Sequence, residues 1–114
     1  MELITSDQRA QFLRNGEFTA RSEMHDPFPV VKLFTPDAQA IWLIAELDPH
    51  DPDIVFGLCD LGLGCPELGT VRVSELEALR GPSGLPVERD LYFKADRSLS
   101  AYASQARREG VIRT

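Results

Sequence analysis

Two cysteines in 114 residues are too few for a disulfide framework or a four-ligand zinc site. Cys59 and Cys65 read instead as free thiols of a reducing compartment. Cys65, which precedes Pro66 in a glycine-rich loop, is the more reactive candidate; a short Cys59–Cys65 bridge requires the strand end to curl back. Long apolar runs are missing too. The longest, Ile41 to Ala45, falls far short of the roughly 20 residues that span a bilayer. The start, Met1 to Asp7, lacks the basic residues and apolar core of an export signal. These absences predict a cytoplasmic protein without a membrane segment.

Positive charge is absent from one whole third of the chain. Residues 33–71 carry seven acids (Asp37, Glu46, Asp48, Asp51, Asp53, Asp60 and Glu67) and no Lys or Arg. Residues 72–114 carry eight bases and six acids, so the net charge of −6 belongs essentially to the middle third. That third is a poor surface for nucleic acid, and only the C-terminal segment can offer phosphate contacts. There Arg72, Arg80, Arg89, Lys94, Arg97, Arg107 and Arg108 interleave with Glu75, Glu77, Glu88, Asp90 and Glu109. Such interleaving reads as ordinary salt-bridged surface, which disfavours nucleic-acid binding.

What remains is an ordinary globular composition, 43% hydrophobic and 26% charged, at the length of one domain. Thr5 and Gln8 make a capping box for a helix over Thr5–Asn15, with Gly16 placed to end it and a polar lead-in over Gly16–Pro29. Val30–Phe34, Ile41–Leu47 and Ile54–Asp60 are predicted strands. In the second, Ile41, Leu43, Ala45 and Leu47 share one face while Trp42 and Ile44 make the other apolar, as in a central strand covered by helices on one side. Asp48–Asp53 reads as a stiff acidic turn because of Pro49 and Pro52, and Leu61–Gly69 as a glycine loop. Thr70–Val73 is a half-buried strand, and Ser74 with Glu77 forms a second capping box for a helix through Arg80. A strand over about Val87–Phe93 follows. Ser98 then caps a last helix, which stops at Gly110. The tight turns leave no room for parallel crossovers. They predict an α+β fold, a mainly antiparallel sheet of about five strands with N-terminal and C-terminal helices packed on it.

The chemical motifs are mostly incomplete. Gly62-Leu63-Gly64 follows a strand, but no third glycine, Lys-Ser/Thr pair or helix follows as a phosphate loop requires. His50 among Asp48, Asp51 and Asp53 lacks the calcium-loop spacing and reads as a solvated turn. Cys65 with His50 is the one nucleophile–base pair worth testing; paired carboxylates such as Asp60 and Glu67 could act as acid and base, though a domain of this size has little room for a sugar cleft. Trp42 and Phe56 read as core. No catalytic residue, metal ligand or cofactor is assigned.

Several runs together carry a resemblance. They are Val30–Ala38, Trp42–Pro49, Asp53–Gly64, Pro66–Gly69 and Gly84–Leu91, in that order. The chain resembles, from about Leu3 to Arg108, the bacterial Domain of Unknown Function family 2958. The resemblance implies a stand-alone bacterial protein, often borne by plasmids and conjugative elements, and implies no catalytic residues.

The expected function is that of a non-enzymatic accessory protein that binds another protein; the partner and the oligomeric state stay open. The expected surface is the glycine loop, with Asp60, Gly62, Gly64 and Glu67, and with Arg89 pointing inward to pair with one of the carboxylates. A small hydrolase or metal-assisted enzyme using Asp60, Glu67, Cys65 or His50 is the alternative, and weak nucleic-acid binding through the C-terminal segment the third reading.

Overall fold

Thr5 has extended backbone, and its hydroxyl accepts the Gln8 amide at 3.1 Å while Gln8 Oε1 accepts the Thr5 amide at 2.9 Å. This reciprocal cap starts helix α1 (Ser6–Arg21) in the computed structural model, which describes residues 2–22 and 24–114. Met1 of the N-terminal start and Glu23 of the lead-in lie outside the described residues. The helix does not end at Gly16. Gly16 is buried inside it, where a methyl group would stand 2.0 Å from the Leu47 carbonyl oxygen. Glycine serves here to let helix and sheet backbones touch.

The strands are β1 (Val31–Phe34), β2 (Ile41–Asp48), β3 (Asp51–Asp60), β4 (Glu67–Arg72) and β5 (Glu88–Arg89). They form one antiparallel sheet in the order β4-β3-β2-β1-β5. Helix α2 (Val73–Ala78) follows β4, and α3 (Leu99–Glu109) closes the fold. The α+β architecture with five antiparallel strands and terminal helices is therefore as the sequence predicts.

Four local expectations are corrected. Asp51, Pro52 and Asp53 belong to β3, leaving Pro49 and His50 as the turn. The β3–β4 ladder stops at Ile54 and Arg72, so Pro52 lies where no β4 neighbour needs its missing amide. Leu68 and Gly69 belong to β4, which shortens the loop. Ser74 does not cap α2. Its hydroxyl and amide both donate to Asp53, at 2.7 and 3.0 Å, and the helix ends at Ala78. The strand expected over Val87–Phe93 is reduced to Glu88–Arg89, since Asp90 turns back to accept the Tyr92 amide at 2.9 Å.

Both faces of the sheet are covered, not one. Trp42, Ile44 and Leu47 join Phe12 of α1 and Leu76 of α2 in one core. Leu43, Ala45 and Leu58 join Leu99, Tyr102, Ala103 and Ala106 of α3 in the other. The pairs Ile44–Gly57 and Glu46–Phe56 leave Ala45 as an extra, bulged residue. The bulge advances the pleat by one, so Leu47 lies in the opposite core from Leu43 and Ala45. Simple alternation cannot reveal that inversion. Among the described residues, no helix is long and apolar enough to cross a membrane.

Candidate functional site

Asp60 ends β3 and is only 3% exposed. Its Oδ1 accepts the Gly62 amide at 2.8 Å and its Oδ2 accepts the Ile112 amide at 3.1 Å. One carboxylate thus fixes both the start of the loop and the C-terminal tail. Gly62 and Gly64 have φ of 80° and 83°, which side-chain-bearing residues rarely adopt. These turns leave Leu61 and Leu63 61% and 80% exposed, while Pro66 is buried at the loop's end. Glu67 is exposed at the start of β4, opposite Cys59. Asp60, Gly62, Gly64 and Glu67 therefore gather at one end of the sheet.

Arg89 does not join them. It lies on β5, at the sheet edge opposite β4, and its Nη1 donates to the Glu2 and Leu3 carbonyls at 2.8 and 3.0 Å. Arg89 anchors the N-terminal segment; strand order, invisible in local alternation, separates it from both carboxylates.

The acids of the turn at the other end of β3, read as solvated, make contacts within the chain. Asp48 accepts the His50 amide at 2.8 Å, and Asp51 accepts the Asp53 amide at 3.2 Å. Arg72 Nη1 lies 3.2 Å from Asp51 and 3.5 Å from Asp53. The Ser74 hydroxyl and amide, with Arg72 beside them, hold the Asp53 carboxyl below its ordinary range. His50 lies at this end and Cys65 at the other, across the ten residues of β3, so the two do not meet. Among the described residues, no three or more His, Cys, Asp and Glu side chains converge as a metal site. Both cysteines are free; burial pushes the Cys59 thiol up, whereas Cys65 is exposed.

Two arrangements were not legible in the sequence. On α1, the Thr19 hydroxyl donates to Glu46 Oε2 at 2.7 Å and lies 2.8 Å from His25 Nδ1, so that nitrogen carries the proton. This chain ties α1 to β2. The second is a cavity of about 440 Å³ between the Asp90–Arg97 segment, α3 and the C-terminal tail. On its wall the Tyr102 hydroxyl donates to Asp96 Oδ1 at 3.0 Å and accepts the Asp96 amide at 3.2 Å. Arg97 clasps Asp96 through Nε at 3.0 Å, reaches Gln105 at 2.7 Å, and lies 5.2 Å above the Tyr102 ring. Bonds from Arg97 and Tyr102 hold the Asp96 carboxyl low, while burial pushes the Tyr102 hydroxyl up. The one available signal was the excess of bases after residue 71, with Tyr92 and Phe93 among them.

A family model described as "Protein of unknown function (DUF2958)" matches residues 3–113. No curated protein matches the chain, and no solved structure does.

Proposed function

This chain belongs to the DUF2958 family of proteins of unknown function, and we propose that it is a protein-binding accessory module. Its contact surface is the Leu61–Cys65 loop with the adjoining edge of β4. The observation that carries this reading is the exposure of Leu61 and Leu63 on a loop whose base is pinned by a buried carboxylate. Burying a leucine side chain is worth about 1.5–3 kcal/mol. A loop already fixed loses little further entropy on binding, so more of that energy appears as affinity. Among the described residues β4 pairs with β3 alone, so an extended segment of the partner can add beside it as a sixth strand. Glu67 sits where loop and edge meet. The setting that accompanies this reading, an accessory role in the cytoplasm of a bacterium carrying a mobile element, rests on the family resemblance.

The small-hydrolase reading requires Asp60, Glu67, Cys65 or His50 to share a centre. Asp60 spends both oxygens on backbone amides. His50 and Cys65 are separated by the length of β3, roughly 30 Å at about 3.3 Å per residue.

The test is a photo-crosslinker placed at the exposed position of Cys65, on the same loop, in the native host, with captured proteins quantified by mass spectrometry. Capture of one partner is expected, lost in the Leu61→Asp/Leu63→Asp variant at unchanged melting temperature, weakened in Glu67→Ala and retained in His50→Ala. The double variant capturing the same proteins as the parent would refute the proposal.

A further inference from the structure

The cavity beside α3 differs in charge from the rest of the molecule. Three cationic side chains, Lys94, Arg97 and Arg113, face two acidic ones, Asp90 and Asp96, in a protein whose net charge is −6. Both acids are answered from within. Asp96 is clasped by Arg97, and Asp90 lies 3.7 Å from Lys32, which also donates to the Thr114 hydroxyl at 2.8 Å. Lys94 has no ion-pair partner among the described residues, and Arg113 gives only its Nε to Glu109, at 3.1 Å. Seven donor hydrogens on these two side chains therefore remain for a ligand. Two other cavities are lined by acids without Lys or Arg: Glu46 and Asp48 in one, and Glu2, Glu77 and Glu88 in another.

The wall also offers aromatic surface. Tyr92 is 94% exposed although its backbone is fixed by Asp90, and Phe93 and Tyr102 stand 6.5 Å apart behind it. A volume of about 440 Å³ lies within the range of roughly 300–1,000 Å³ usual for small-ligand sites. Arg113 and Thr114, which line the cavity, follow directly on Ile112, whose amide Asp60 holds. We infer that this cavity is a binding site for a small phosphorylated ligand bearing a planar ring, of the mononucleotide class. Lys94 and Arg113 take the phosphate, and the Tyr92 ring stacks on the base.

Calorimetric titration at low salt with adenosine 5′-monophosphate, adenosine and inorganic phosphate tests this on the full chain. The monophosphate is expected to bind at least about tenfold more tightly than either fragment, and to weaken as salt rises. Lys94→Ala/Arg113→Ala is expected to lose at least about tenfold in affinity, and Tyr92→Ala several-fold. All three residues are exposed, so both variants keep the fold, which circular dichroism checks. No binding of the monophosphate at millimolar concentration overturns the inference. So does equal binding of phosphate alone, or unchanged affinity in the double variant. A 5′-phosphorylated oligonucleotide bound more tightly than the monophosphate would overturn the small-ligand assignment in favour of nucleic acid.

Discussion

The two ends of β3 are built from similar residues to opposite effect. At its start, Asp48, Asp51 and Asp53 crowd a tight turn, and each carboxylate is answered by a backbone amide, Ser74 or Arg72. At its finish one of two acids, Asp60, is sunk beneath the surface and holds two segments of chain, while Glu67 and the leucines of the loop face solvent. Acid density therefore marks the end with less left to offer. The informative groups are those left without an internal partner, and at the glycine loop these are apolar.

The contrast is broken most severely at Asp60. Asp60→Ala strands the buried Ile112 amide and frees the loop, with an expected loss of about 2–4 kcal/mol in denaturant unfolding. A loss below about 1 kcal/mol would mean that the loop and tail are held otherwise. Next comes Gly16→Ala, which drives a methyl group into the Leu47 carbonyl beside Pro49. Overpacking of this kind costs about 1–3 kcal/mol, partly offset by up to about 1 kcal/mol of helix propensity. The net loss should appear as a lowered melting temperature with the helical signal retained.

At the acidic end the expected effect is a slope. The Asp53 carboxyl titrates below its ordinary 3.8 when folded. Its contribution is then complete above the unfolded-state value and is lost as pH falls through the folded one. Asp53→Asn removes that acid-labile part, so its unfolding midpoint should fall less steeply than the parent's between about pH 5 and pH 2. Parallel acid limbs would show that Ser74 and Arg72 do not hold the charged form. Smallest of all is Glu67→Ala, expected to shift stability by under about 0.5 kcal/mol, as exposed substitutions do. A larger loss would make Glu67 a structural residue like Asp60, erasing the distinction between anchor and contact.

The N-cap of the first helix and the caps of the last were legible because their information is local, whereas Gly16 and Ser74, also read as caps, are claimed by contacts with β2 and with Asp53. Thr5 with Gln8 and Ser98 with Gly110 act over a few residues, and both pairs stand where their spacing predicts. The five-strand antiparallel sheet was legible for a similar reason, since tight turns exclude crossovers. Register was not. The bulge at Ala45 depends on how β2 and β3 pair, and the role of Arg89 on strand order. Of the residues expected to form one surface, Gly62, Gly64 and Glu67 are exposed neighbours, Asp60 is the buried anchor beneath them, and Arg89 lies at the far edge. The cavity escaped notice because its wall is assembled from three segments that meet only once α3 has docked. The apolar face of α3 packs on the sheet through Leu99, Tyr102, Ala103 and Ala106, and Asp26 ties the start of the helix, accepting the Ser100 amide at 3.1 Å and the Ser100 hydroxyl besides.

The sheet's two borders are unequal. On one side the two residues of β5 are flanked by the N-terminal strap that Arg89 grips; on the other, the six residues of β4 have no further strand beside them among the described residues. A ribbon with one open selvedge can be sewn only once. A strand added along β4, as proposed above, takes up the longer of the two borders, and the two residues of β5 leave little backbone for a further one.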